Sequence, residues 1–389
     1  ERMVGVQLSQ IRAISEKARA LEAQGRSIIH LGIGEPDFTT PAHIVAAAQQ
    51  ALAEGQTHYG PNRGLLALRQ AIAQKLAKEN GIVADPELEI VVTVGAAEAI
   101  FMAMVGLLNP GDEVIIIEPA FINYVQVARM AGAVPVIVPA REENGWLIDL
   151  TDLEKALSPR TRMIMFNTPN NPTGVVYPRP TLQGIADLAI KHDLLVVADE
   201  IYEKIIYPGA EHVSIASLPG MAERTITVNG YSKGYAMTGW RLAYLVAQAD
   251  LVLPMLKVHQ YTTTCATTFA QVGAIAATTG SQDCVARMVA EFARRRDLVC
   301  RELAEIEGVS CVTPQGAFYA FANVKAFGLT STEFVDMVLQ EAGVALVHGS
   351  AFGACGEGYV RLSYANSYAN ISEALYRLKR VLANKKFQA

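Results

Sequence analysis

Charge is sparse in this sequence. Of its 389 residues 18% are charged, the formal net charge is −5, and acidic and basic residues are interspersed. No basic block offers a surface to nucleic acid or to an anionic membrane. No apolar run approaches the ~18 residues needed to span a bilayer. Glu1 to Gln10 lack the basic-then-apolar layout of a signal peptide, so a cytoplasmic location is expected. Cysteine is scarce too. Cys265, Cys284, Cys300, Cys311 and Cys355 form an odd set whose spacings match no metal site or disulfide framework, so they read as thiols in a reducing compartment. A Walker lysine and a G-x-G-x-x-G loop are both missing, which removes the common nucleotide folds. There is no internal repeat, low-complexity tract or Pro/Gly/Ser linker.

Apolar material is plentiful, at 51% of residues. That suffices for a large core and argues against disorder. The length suggests two or three structural units of roughly 100–200 residues. Short, β-branched runs without strict alternation occur at Ile90–Val94, Glu113–Ile117, Val134–Val138, Met163–Asn167, Leu194–Ala198, Thr225–Val228 and Leu242–Val246. Such runs suit strands covered on both faces. Helical patterns at Ala97–Leu107, Ile122–Met130 and Thr181–Lys191 lie between them, and Asn109-Pro110-Gly111 stops the first. This rhythm predicts an α/β unit with a mostly parallel, seven-stranded sheet over residues 45–280. From residue 281 to 389 the pattern becomes α+β, opening with a charge-rich amphipathic helix at Asp283–Ile306. Residues 1–44, with a helix at Ser9–Gln24, are expected to pack with that smaller unit.

Four segments follow predicted strands and carry chemistry. In Tyr231-Ser232-Lys233-Gly234, a lysine follows a strand among turn-forming residues, and Arg241 lies eight positions on. A lysine nucleophile must be desolvated or set near other cations to hold a neutral amine. Arg241 is such a cation and also suits a bidentate phosphate. Alone, the segment equally describes a surface turn with two basic residues. In Val197-Ala198-Asp199-Glu200-Ile201-Tyr202 an apolar strand ends in an acid. Ligands of open α/β sheets bind at the carboxyl ends of strands, where an acid can pair with a protonated ring nitrogen. It can also simply cap a helix or hold Mg²⁺. In Asn167-Thr168-Pro169-Asn170-Asn171-Pro172-Thr173-Gly174 three amides follow a buried strand. That is a rigid turn in any reading, and Asn171 is free to donate to a phenolic oxygen or a carboxylate. In Thr93-Val94-Gly95-Ala96-Ala97 a strand passes through glycine into a helix whose exposed N–H groups suit a phosphate. In a parallel sheet all four segments reach one edge.

Together they resemble the class I/II aminotransferases of pyridoxal 5′-phosphate (PLP) fold type I. Ser232-Lys233 with Gly239-Trp240-Arg241 matches S-K-x(5)-G-x-R, Asp199 to Tyr202 matches D-E-x-Y, and Asn167 to Gly174 matches N-P-x-N-P-T-G with Thr168 in the second place. Leu31 to Phe38 and Tyr359 to Ala365 look like the family's terminal signatures, so the likeness covers nearly the whole chain. The resemblance implies that Lys233 is the Schiff-base lysine and proton shuttle. Asp199 would pair with the pyridine nitrogen, Tyr202 and Asn171 with the phenolic oxygen, and Phe121 would stack on the ring. Ser232, Arg241, Gly95 and the backbone of Ala96 and Ala97 would take the phosphate. Tyr59 would reach the phosphate of a neighbouring subunit, which implies a homodimer. Arg361 would grip the substrate α-carboxylate with Asn171 and the Gly34 backbone.

The implied activity is ping-pong amino transfer between an L-amino acid and a 2-oxo acid, with no metal. Two departures bear on substrate. Ala97 to Leu108 holds no Lys or Arg, where some relatives place a base for an acidic side chain, and His348 stands where many have Pro. His348 reads as a half-buried structural residue, with the site entrance as its other possible place. A PLP-dependent C–S β-lyase shares the same cofactor residues and is the alternative reading. A PLP-binding regulator would need a DNA-binding unit ahead of the main one, and about forty residues precede it here.

Overall fold

The computed structural model describes residues 3–383 and 385. Thirteen strands and twelve α-helices are found among them. The strands are β1 (Ile29–His30), β2 (Ile90–Thr93), β3 (Glu113–Glu118), β4 (Val134–Pro139), β5 (Thr161–Asn167), β6 (Leu195–Asp199) and β7 (Thr225–Gly230). They continue with β8 (Ala243–Val246), β9 (Ser310–Cys311), β10 (Tyr319–Asn323), β11 (Val344–Ala345), β12 (Val347–His348) and β13 (Tyr359–Ser363). The helices run from α1 (Gln10–Glu22), α2 (Ala42–Ala53) and α3 (Leu66–Lys75) through α4 (Ala96–Leu107), α5 (Asn123–Ala131) and α6 (Leu150–Lys155). Then come α7 (Arg179–Lys191), α8 (Ala249–Thr262), α9 (Thr268–Thr279), α10 (Asp283–Ala304), α11 (Ser331–Glu341) and α12 (Tyr368–Leu382).

Seven strands form one sheet in the order β2-β8-β7-β6-β5-β3-β4. All seven coincide with the apolar runs read from the sequence. Their residues are mostly covered on both faces; the exposed side chains are Val134 and Ile137 of the edge strand β4 and Arg162 near the start of β5. Helix α4 is apolar nearly all round because it is sandwiched between the sheet and α8. That burial explains why its sequence carries almost no charge. β8 runs antiparallel to both β2 and β7, while the other pairs are parallel. The carboxyl ends of β2, β3, β5, β6 and β7 therefore share one edge with the start of β8.

A second sheet, β12-β13-β10-β9, is antiparallel. Helix α10 packs against it. Val285, Met288, Phe292, Arg295, Leu298, Val299 and Leu303 are its buried face, spaced by three or four apart from the adjacent Leu298 and Val299. The helix stops at Ala304, two residues before the expected end. β1 pairs in parallel with β11, which ties residues 29–30 to 344–345. The sequence reading had no strand at β1 and no helices at α2, α3, α6, α8 or α9. No helix among the described residues is long and apolar enough to cross a membrane. The five cysteines are unpaired and half-buried.

Candidate active site

Four sequence segments do meet at one edge, and β8 adds a fifth element. Because β8 runs backwards, Arg241, two residues before it, arrives at the edge that holds the ends of the parallel strands. Arg241 has φ 53° and donates to the Thr238 carbonyl at 3.0 Å. Its guanidinium lies against Gly95, the N-cap of α4, which has φ 81°. A Cβ there would collide with the guanidinium, so only glycine allows the approach. The α4 N-terminus and Arg241 together make a compact anion seat. Ser232 is buried close in sequence to it. Behind the seat, Glu98 accepts from the Val94 N–H at 2.5 Å, and its carboxylate pairs with His259 at 3.0 Å.

Asp199 ends β6 and is buried. Its Oδ2 accepts from the Tyr124 hydroxyl at 2.7 Å and its Oδ1 from the Ile201 N–H at 3.1 Å. Burial pushes the carboxyl up to about 6, against the opposing pull of those two hydrogen bonds and of Lys233. The following residue, Glu200, accepts from Ser214 at 2.6 Å and pairs with His212 at 3.0 Å. Glu200, Glu203 and His212 bring one ligand atom each within 4.8 Å. Lys75, ion-paired to Glu203, already supplies the cation there.

Lys233 donates to the Gly34 carbonyl at 2.5 Å. Burial pushes its amine down to about 8. Arg361 and Arg241 act in the same direction, and Glu35 and Asp199 oppose them. Near pH 8 a large share of such an amine is neutral and nucleophilic.

Arg361 comes from β13 and is 1% exposed. It donates to Asn171 Oδ1 at 2.8 Å and to the Gly32 carbonyl at 2.6 Å. Its Nε has no hydrogen-bond partner among the described residues. A buried cation with an unmatched donor suits a carboxylate. Asn171 is held in turn by its backbone N–H on Asn167 Oδ1, at 2.8 Å.

Tyr202 is buried and its hydroxyl lies 2.8 Å from that of Tyr319. Phe121 packs edge-on to Tyr124, with ring centroids 6.0 Å apart. His348 is buried rather than half-buried, pairs with Ser350 at 2.8 Å, and is pushed down by burial. Tyr59 is not gathered into this cluster: it is 89% exposed.

The sequence reading missed Tyr124, Asn167, Gly32 and Tyr319. Tyr124 had one usable signal, its place three residues after Phe121 at the start of a helix beyond a strand. Tyr319 had none, since it opens a strand of the second sheet.

A family model described as aminotransferase class I and II matches residues 26–378. Aromatic-amino-acid aminotransferase 2 of Thermococcus litoralis is 47% identical over 388 residues, covering 99% of this chain and 98% of its own. The aspartate aminotransferase of Pyrococcus abyssi shares the same identity and coverage. The structure of Thermus thermophilus aspartate aminotransferase with maleate superposes with a TM-score of 0.94 at 40% identity, covering 98% of both chains. These relatives carry out transamination, so the C–S lyase reading loses its support. The chain belongs to the class I and II aminotransferases, and it is a PLP-dependent transaminase of fold type I.

Proposed function

We propose that this aminotransferase works by a ping-pong cycle in which Lys233 anchors the cofactor and carries the proton. The observation that supports it most is the Lys233 amine, drawn down to about 8 within electrostatic reach of Asp199, Arg241 and Arg361. PLP, when bound, supplies the electron sink for the charge left behind as the substrate Cα proton departs. The residues present fit that group. Asp199 partners the ring nitrogen, and a carboxyl raised by burial gains most from an arriving cation. Tyr202 and Asn171 hold the phenolic oxygen, and Phe121 covers the ring. Gly95, Ala96 and Ala97 through their backbone, with Ser232 and Arg241, hold the phosphate.

Arg361, with Asn171 and Gly34, grips the α-carboxylate. A two-pronged grip fixes the direction of the Cα–H bond toward Lys233 Nζ, which takes that proton. The substrates are an L-amino acid and a 2-oxo acid. We read the donor side chain as aromatic or apolar, because α4 offers no Lys or Arg and Arg361 is taken up by the α-carboxylate. The Thermococcus litoralis relative is named for aromatic amino acids and the equally similar Pyrococcus abyssi relative for aspartate, so a donor panel separates the two. A homodimer belongs to the same reading, with Tyr59 reaching the partner's phosphate; its exposure in the single chain supports this. So do a cytoplasmic location and a division into residues 1–44, 45–280 and 281–389, the first joined to the last by β1–β11 pairing.

Purified enzyme with PLP, a 2-oxo acid and a panel of amino acids tests the reading. Tyrosine or phenylalanine should exceed aspartate in kcat/KM by about tenfold or more. Aspartate matching them would overturn the donor assignment. A Lys233→Ala enzyme that keeps the visible cofactor band and still turns over would overturn the site.

A further inference from the structure

We propose that Tyr319 is a positioning residue of this site, whose hydroxyl directs the proton of Tyr202 toward the cofactor and whose ring supports Arg361. The inference deepens the proposed function and rests on the roles given there to Tyr202 and Arg361. Tyr319 lies outside every motif that the sequence displays. It opens β10, two residues before Phe321, which stands opposite Arg361 across the sheet.

The first observation is the pair of phenols. Tyr202 is 4% and Tyr319 1% exposed, and their oxygens are 2.8 Å apart. Each hydroxyl has the other as its only hydrogen-bond partner among the described residues. Each has a single proton, so only one of them donates across the pair. When Tyr202 donates to Tyr319, it has no proton left for a ligand. When Tyr319 donates, the Tyr202 proton is free to point into the site.

The second observation decides the direction. The Arg361 guanidinium lies 4.4 Å from the Tyr319 ring centroid. A cation over a phenol ring draws electron density from it and makes its hydroxyl the stronger donor. Lys233 Nζ also faces the Tyr202 ring, but from 6.0 Å, so the closer guanidinium prevails: Tyr319 donates and Tyr202 accepts. Chained hydrogen bonds polarise one another, so Tyr202 becomes a better donor to the next oxygen in line. That oxygen is the phenolic oxygen of bound PLP.

The third observation places Tyr319 against two further supports of the site. A Cβ on Gly34 would lie 2.5 Å from the Tyr319 hydroxyl oxygen. Gly34 offers its carbonyl to Lys233, and Gly32, two residues earlier, offers its own to Arg361. The single Tyr319 side chain thus touches Tyr202, Arg361 and the segment that both Lys233 and Arg361 bond.

Ring and hydroxyl are separable by substitution. Tyr319→Phe keeps the ring under Arg361 and removes the donor; Tyr319→Leu removes both. Two measurements on the PLP-loaded enzyme read them apart. One is the pH midpoint of the visible cofactor band. The other is the Kd of 3-phenylpropionate, a carboxylate without an amino group. A weaker donor at the phenolic oxygen leaves more charge there, so the proton shared with the Lys233 nitrogen is held to higher pH.

Tyr319→Phe should raise the midpoint by about half to one pH unit with the Kd within about twofold. Tyr319→Leu should raise it equally and weaken 3-phenylpropionate about tenfold. Tyr202→Phe should raise it at least as far, and adding Tyr319→Phe should then change nothing more. An unmoved midpoint in Tyr319→Phe, alongside a raised one in Tyr202→Phe, overturns the role of Tyr319 and leaves that of Tyr202 standing. An unmoved midpoint in Tyr202→Phe overturns the Tyr202 assignment and this inference with it.

Discussion

Asp199 shows what a single residue contributes and what it costs. Its carboxyl moves from an ordinary 3.8 to about 6 because burial penalises the anion. Without cofactor, the folded chain then holds this proton more tightly than the unfolded chain does. The sign follows: stability is fully present below the ordinary carboxylate range and is lost as pH rises to about 6. Above that the deficit is about 3 kcal/mol. Asp199→Asn should therefore raise the Tm of the cofactor-free protein at pH 7.5, with the gain vanishing near pH 4. Thermal melts at the two pH values check this, and an equal gain at both would refute it. Lys233 and Asp199 were legible in the sequence because each lies at or just beyond the end of an apolar strand. Tyr124 and Tyr319 were not, because their partners lie 75 and 117 residues away.

Elements carry the phosphate seat. It needs the α4 N-terminus and the reversed strand β8 to deliver Gly95 and Arg241 to the same place. The glycine is required twice over, by its positive φ and by the guanidinium against it. Gly95→Ala should cost roughly 1–3 kcal/mol of stability and weaken PLP binding about tenfold or more. Gly111→Ala is the matched control, with φ 90° and open space around its Cα. It should show the backbone cost without the loss of cofactor affinity. Cofactor titration of both variants separates the two, and equal PLP affinity would remove the steric argument. The strands were recognisable by composition alone. The direction of β8 was not, because antiparallel and parallel buried strands share the same apolar residues.

At the scale of the whole molecule, Tyr59 is 89% exposed in the single chain, and its proposed reach to a phosphate calls for a second copy; Tyr261, at 86% exposure, is a further large side chain left uncovered. Subunit mixing tests this directly. A Tyr59→Asp chain and a Lys233→Ala chain should each be nearly inactive alone. In a hybrid dimer one site combines Lys233 of the first chain with Tyr59 of the second, so activity should return. The hybrid should reach about half the wild-type rate, one site of two being intact. No recovery in a confirmed hybrid would place Tyr59 outside the partner's site.

By itself the sequence determined the secondary structure of the central sheet and marked the strand-end acid Asp199 and the lysine Lys233, while Arg361 came only from the family resemblance. Burial and strand ends are local properties, written in runs of five to ten residues. The tertiary structure alone decided which groups complete them. β8 turns back to bring Arg241 onto Gly95, Tyr124 reaches Asp199, and Tyr319 of the second sheet joins Tyr202 in the turn after β6. Those pairings depend on how two sheets pack across one edge, and contacts between segments distant in the chain leave no periodicity for a single sequence to display.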